Sequence, residues 1–228
     1  MDNRSHYDII DNYKSLLLSL FDETNATTDK YKYDDFIHNA NYSISYIRQT
    51  HWFLEGMCKR IELERKKIKE RETLRKGSKN YFAIYRQEDQ IKKVVSFVDG
   101  KEDVAYYAVY IDNKRYLIPF SDIYRNRYYT YIIVAEYNGD RIIREYMVNN
   151  VQIVFYEYDY LSDNKVSVKY INYIPKSKFP VNQCIEGIIS NSNSFIELTS
   201  YIGYDEYKCN EKKTNYENKN LPSFLVVI

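Results

Sequence analysis

One spacing in this chain has the form of a phosphodiester-cleaving site: Asp99, followed by Asp112-Asn113-Lys114. Two such acids can hold a divalent ion that activates water, while the lysine stabilises the charge developing on a phosphate. The same tripeptide between two apolar runs also suits a hairpin turn, since Asn and Asp tolerate a left-handed backbone. Its recurrence as Asp163-Asn164-Lys165, at another expected turn, favours the turn. The histidines His6, His38 and His51 share no ligand spacing, and His51 falls on an apolar seam beside Trp52, where a packed histidine is the simpler reading. Cys58, Cys184 and Cys209 form no CxxC pair, which argues against a zinc site and a disulfide framework. GxGxxG, GxxxxGK[ST] and GxSxG are all absent, so no cofactor, nucleotide or acyl-transfer site is expected and no catalytic residue is assigned.

Basic residues offer a different chemistry. Residues 59–79 hold ten basic and four acidic side chains. Arg65, Lys66, Lys67, Lys69, Arg71, Arg75 and Lys76 are the candidates for contact with phosphates or with an acidic partner, diluted by Glu62, Glu64, Glu70 and Glu72. A second cluster, residues 124–129, sets Arg125 and Arg127 among tyrosines, a combination that can grip a single strand or anchor a protein interface. The chain ends in Phe224, Leu225, Val226, Val227 and Ile228 after a polar stretch, and this apolar end is expected to dock as an edge strand on its own chain or a neighbour.

The elements that must position these groups follow from periodicity. Residues 5–22 carry apolar side chains at helical spacing behind Ser5 as a cap, and residues 22–30 read as a break. Ile44, Ile47, His51, Leu54, Cys58, Ile61, Arg65 and Ile68 recur at alternating three- and four-residue steps, predicting one long helix over 44–76 that Gly77 ends. From Tyr81 the period becomes strand-like. Turn signals at Asp99-Gly100, Asp112-Asn113, Asn138-Gly139 and Ser162-Asp163-Asn164 separate about seven strands over 93–174. Tyr, Ile and Val occupy both faces of several strands, so neither face is plainly solvated; helices are expected on one and a neighbouring chain on the other. A short helix is expected over 182–189. The predicted class is α+β: a helical bundle over 1–78, an antiparallel sandwich or barrel-like domain over 79–175, and a mixed segment with an extended arm over 176–228.

Composition adds little steering. Net charge is +1, the apolar runs are too short to span a bilayer, and no signal peptide is evident, so no membrane partner is expected. Tyr is abundant, at 27 residues against one Trp and six Gly, as AT-rich coding would produce and as an interface would use. The expected plan, with its helices over 5–22 and 33–76, β-rich part over 81–174 and terminal arms, resembles the head-to-tail connector proteins of tailed phages, and the AT-rich composition is similar to that of the crAss-like group. That resemblance implies a non-enzymatic virion protein made in the host cytoplasm, a homo-oligomeric ring around a DNA channel, and portal or tail proteins as neighbours. The alternatives are a nucleic-acid-binding protein acting through residues 65–76, and a nuclease using Asp99, Asp112 and Lys114.

Overall fold

The computed structural model describes residues 6–36, 41–49, 53–121, 126–127, 130–162, 165–176, 181–190, 193–205 and 210–213. Helix α1 (His6–Thr28) and a turn of 3-10 helix (Tyr33–Phe36) precede β1 (Ser43–Arg48) and the short helix α2 (Met57–Arg65). Strands then follow without a further helix: β2 (Tyr81–Gln87), β3 (Gln90–Val98), β4 (Lys101–Ile111), β5 (Lys114–Ser121), β6 (Asn126–Arg127), β7 (Ile132–Asn138), β8 (Arg141–Val148), β9 (Ile153–Ser162), β10 (Lys165–Tyr173), β11 (Val181–Ser190), β12 (Asn193–Asp205) and β13 (Asn210–Lys213). All belong to one sheet. Its strands lie in chain order, each antiparallel to the next, except that the short β6 pairs only with β5, so that β7 also pairs with β5. In place of the expected sandwich or barrel there is a single open meander, and the expected boundaries at 78/79 and 175/176 both fall within it.

Turn chemistry explains the meander. Asp99 and Gly100 adopt φ of 50° and 76°, and Glu88 and Asp89 adopt 49° and 64°, the paired left-handed residues that let a two-residue turn follow the twist of a hairpin. Residues 182–189 form β11 rather than a helix; its β-branched Ile188 and Ile189 pair with Val166 and Ser167 of β10.

Both faces are buried by the chain itself. On one, Leu17 and Leu20 of α1 join Ala83, Val95, Ala105, Tyr116, Val134 and Phe155. The Tyr13 hydroxyl donates to Glu157 Oε2 at 2.6 Å, and Lys169 Nζ lies 4.4 Å from the Tyr13 ring centre, fastening α1 across β9 and β10. The helix runs through residues expected to break it, and on its buried side Thr28 Oγ1 donates back to the Thr24 carbonyl at 2.8 Å, which satisfies the hydroxyl within the helix. On the other face, Phe53 and Leu54 join Phe82, Ile84, Leu117, Met147, Tyr156 and Tyr158. Phe53 stacks edge-on against Phe82 at 5.5 Å, Gly56 abuts Tyr158, and α2 reaches β12, so this short segment meets strands from both halves of the sheet. A sheet this long coils, and Phe53 and Leu54 pack against residues of several strands on its inner face. The second face therefore needs no neighbouring chain to cover it.

The predicted helix over 44–76 does not exist. Ser-Ile-Ser-Tyr in β1 alternates at period two as well as fitting the helical seam, and pairing with β2 decides for the strand: Tyr46 faces Ala83 and Ile47 faces Phe82. Gly56 interrupts the middle. At the end, α2 stops in a Schellman turn, with Ile68 N–H donating to Leu63 O at 2.8 Å and Lys67 N–H to Glu64 O at 3.0 Å. Lys67 takes the left-handed position, φ 53°, where glycine is favoured. Lys67→Gly is expected to raise the urea midpoint, by about 0.5–1 kcal/mol of added stability. An unchanged or lower midpoint would show that the turn is not strained by its side chain.

Candidate basic cleft

Beyond α2 the chain folds back on β1. Tyr46 N–H donates to Arg71 O at 2.7 Å and Arg71 N–H to Tyr46 O at 2.9 Å, a single bridge on the outer edge of β1. Arg86 Nη2 donates to Glu70 Oε2 at 3.1 Å, and Ser45 donates to the same carboxylate. Gln49 N–H donates to Asn80 O at 3.2 Å, and Gly100 N–H to Lys79 O at 2.8 Å. Residues 66–80 are thus tied at both ends and in the middle, and they arch over an open cleft of about 740 Å³ against β1.

The lining is unusual in its charge. Arg48 from β1 and Lys66, Lys67, Lys69, Arg71, Arg75, Lys76 and Lys79 from the arch contribute to it, together with Tyr46, Ile47, Ile68, Leu74 and Tyr81, and among the described residues no Asp or Glu does. Two of the four acids that would dilute the patch are taken up by partners, while Glu64 and Glu72 stay exposed. Glu62 is buried and accepts from Lys59 Nζ at 2.8 Å and Lys66 Nζ at 2.6 Å; Glu70 is taken by Arg86 and Ser45. Lys66 is therefore paired, while Arg48, Lys67, Lys69, Arg71, Arg75, Lys76 and Lys79 have no ion pair among the described residues. Like charges gathered this way repel one another, and an anion entering the cleft relieves that repulsion. Most of the residues singled out as a basic helix thus converge on one site; Arg65 is the last residue of α2. Reading them as a helix interleaved the acids with the bases; the doubled-back path takes Glu62 and Glu70 out of that series. Arg48 and Lys79 joined the site through tertiary structure, with no signal in the local sequence beyond their charge.

The nuclease spacing comes apart. Asp99 and Asp112 occupy turns at opposite ends of β4, roughly 35 Å apart at strand rise, so they cannot share a metal ion. Asp112 adopts φ 51°, as a turn residue does, and Lys114 Nζ is held by Glu23 Oε1 at 2.6 Å. Among the described residues no three His, Cys, Asp or Glu side chains gather as a metal-binding group. His6 opens α1; His38, His51, Arg125 and the apolar end Phe224, Leu225, Val226, Val227 and Ile228 lie outside the described residues, and Arg127 is placed in β6 by its backbone alone.

A second polar group, not foreseen from sequence, lies under the start of α2. Glu145 is completely buried on β8 and accepts from Glu55 N–H at 2.7 Å and Gly56 N–H at 2.9 Å. Burial dominates its protonation and raises its pKa to about 7, against the pull of those two donors. Beside it, burial raises the Cys58 thiol to about 12, so Cys58 is no ready nucleophile, and the Tyr158 hydroxyl is pushed well up as well. Arg115 pairs with Glu55 in the same interior; burial is the largest influence and opposes its charge, but Glu55, Tyr137 and Tyr110 together outweigh it. The Glu145 contacts anchor the chain just before α2, the helix that delivers the arch.

Compared with known families, with curated proteins and with solved structures, the chain matches none. No helix among the described residues is long and apolar enough to cross a membrane.

Proposed function

We propose that this is a non-enzymatic binding protein that holds nucleic acid by its phosphates in the cleft between β1 and residues 66–80. The observation that carries the reading is the set of cations around one cavity, all but Lys66 without an ion pair among the described residues and with no acid among the described lining residues. Contacts of this kind bind through counterion release and should be steeply salt-dependent, with log affinity falling by roughly 0.9 per phosphate contact for each log unit of salt on duplex DNA. The combined variant Lys69→Ala, Arg75→Ala, Lys76→Ala removes exposed side chains that make no described packing or ion-pair contact, so its fold should be unaffected. Its salt slope should fall by about 3 and its affinity at low salt by about a hundredfold in a fluorescence anisotropy titration with labelled DNA. No binding by the native protein at low ionic strength, or equal binding by the variant, would refute the reading.

A virion role as a ring of identical subunits around DNA is the wider setting we propose. One feature supports it: the cleft lies at an outer strand of the sheet, β1, whose free side is bridged only at Arg71, so subunits arranged side by side can present their clefts to a common axis. Native mass, measured by light scattering, tests this: a stable monomer that joins no other virion protein counts against it.

A further inference from the structure

We infer that the cleft selects single-stranded nucleic acid over duplex, an inference that rests on its reading as a phosphate-binding site. Two features of the structure carry it. The first is the form of the basic segment itself. A protruding basic helix would enter a major groove, but residues 66–80 form an arch and α2 is turned inward, with Lys59 only 6 % exposed. The cations line a concavity of about 740 Å³ at a sheet edge, a volume that can take a strand with its bases turned aside. The second is the apolar surface among the cations. Leu74 lines the cleft and is 39 % exposed, and Ile68 and Tyr46 line it half-buried. A ligand made of phosphates alone leaves that surface in water. Unstacked bases cover it, and a cationic track beside a stackable ring, here Tyr46 with Leu74 and Ile68 extending the apolar surface, is how single strands are held without regard to sequence. Lys69, Arg71 and Arg75 then take phosphates while a base lies against Leu74.

Three probes at one salt concentration separate the possibilities: a short oligothymidylate, a duplex of the same length, and linear polyphosphate. The single strand should bind at least about tenfold more tightly than the duplex, since each base contact adds a free energy the duplex cannot supply. Leu74→Ser changes an exposed side chain and leaves every cation in place. It should weaken the single strand about three- to fivefold and leave polyphosphate binding unchanged. Equal or tighter binding of the duplex, or a Leu74→Ser protein that holds the single strand as well as the native one, overturns the inference while polyphosphate binding keeps the phosphate site itself standing. Failure of all three probes removes the phosphate site and this inference together.

Discussion

Between pH 5 and pH 8 the protein should lose about 3 kcal/mol of stability through a single side chain, Glu145. Its carboxyl is completely buried, and burial raises its pKa in the fold to about 7 from an ordinary value of 4.5. In the unfolded chain the group releases its proton near 4.5; in the folded protein it keeps that proton until about 7. Across this window the native state binds more protons than the unfolded one, so stability falls as pH rises. The contribution is fully present below about 4.5 and gone above about 7, and the difference in pKa sets its size at about 3 kcal/mol. Glu145→Gln keeps the shape and removes the titration. Urea unfolding of both proteins at pH 5 and pH 8 isolates the effect, because other titrating groups cancel in the comparison. The gap between native and variant should move by about 3 kcal/mol in favour of the variant as pH rises. A gap that stays constant would mean that Glu145 does not change protonation in this range.

Gly56→Ala is the second large effect. A methyl group on Gly56 would lie 2.6 Å from Glu145 Oε2 and 2.8 Å from Tyr158 Cε2. Both are tips of side chains, which on a surface would swing aside. Here Glu145 is held by two backbone N–H donors and Tyr158 is only 3 % exposed, so neither tip has open space to take. Either α2 lifts off the sheet or the Glu145 contacts break, at a cost of about 2–3 kcal/mol. Thermal and urea midpoints report the loss directly. A second readout follows from the path of the chain: α2 leads into Lys66 and Lys67, so the variant should also bind polyphosphate more weakly. Unchanged midpoints would show that the interior around Tyr158 yields without strain.

The strands were legible where one residue type is required at a turn. Asp99-Gly100 and Asn138-Gly139 put glycine at positive φ, and both turns lie between the expected strands. Glu88-Asp89 makes the same kind of turn with two residues that carry no such signal, so the hairpin of β2 and β3 left no local mark. The long helix misread a coincidence of periods. Ile44, Ile47 and Leu54 fit a helical seam, but Ser43, Ile44, Ser45 and Tyr46 fit a strand equally, and nothing local decides between them. Gly56 was a readable objection, since glycine inside a helix costs about 1 kcal/mol. The cleft was half legible. Its cations are evident as a patch, yet the removal of Glu62 and Glu70 from that patch depends on Lys59, Ser45 and Arg86, which the fold brings to them. Glu145 looks like any strand glutamate in sequence; only the arrival of Glu55 and Gly56 makes it a buried anchor.

The strict chain order of the strands has a consequence for how the protein is built. Each hairpin from β2 to β5 and from β7 to β10 closes a loop of only a few residues, so the entropy lost at each step is small and the sheet can zip from one strand to its neighbour. The connection from β1 to β2, residues 49–80, is the exception: it carries both α2 and the arch, and its ends meet only when β1 finds β2. Helix α2 in turn needs Glu145 and Tyr158, which arrive with β8 and β9. The cationic arch is therefore expected to take shape late, after most of the sheet stands, so that a chain emerging from the ribosome holds no finished cleft until its middle strands are in place.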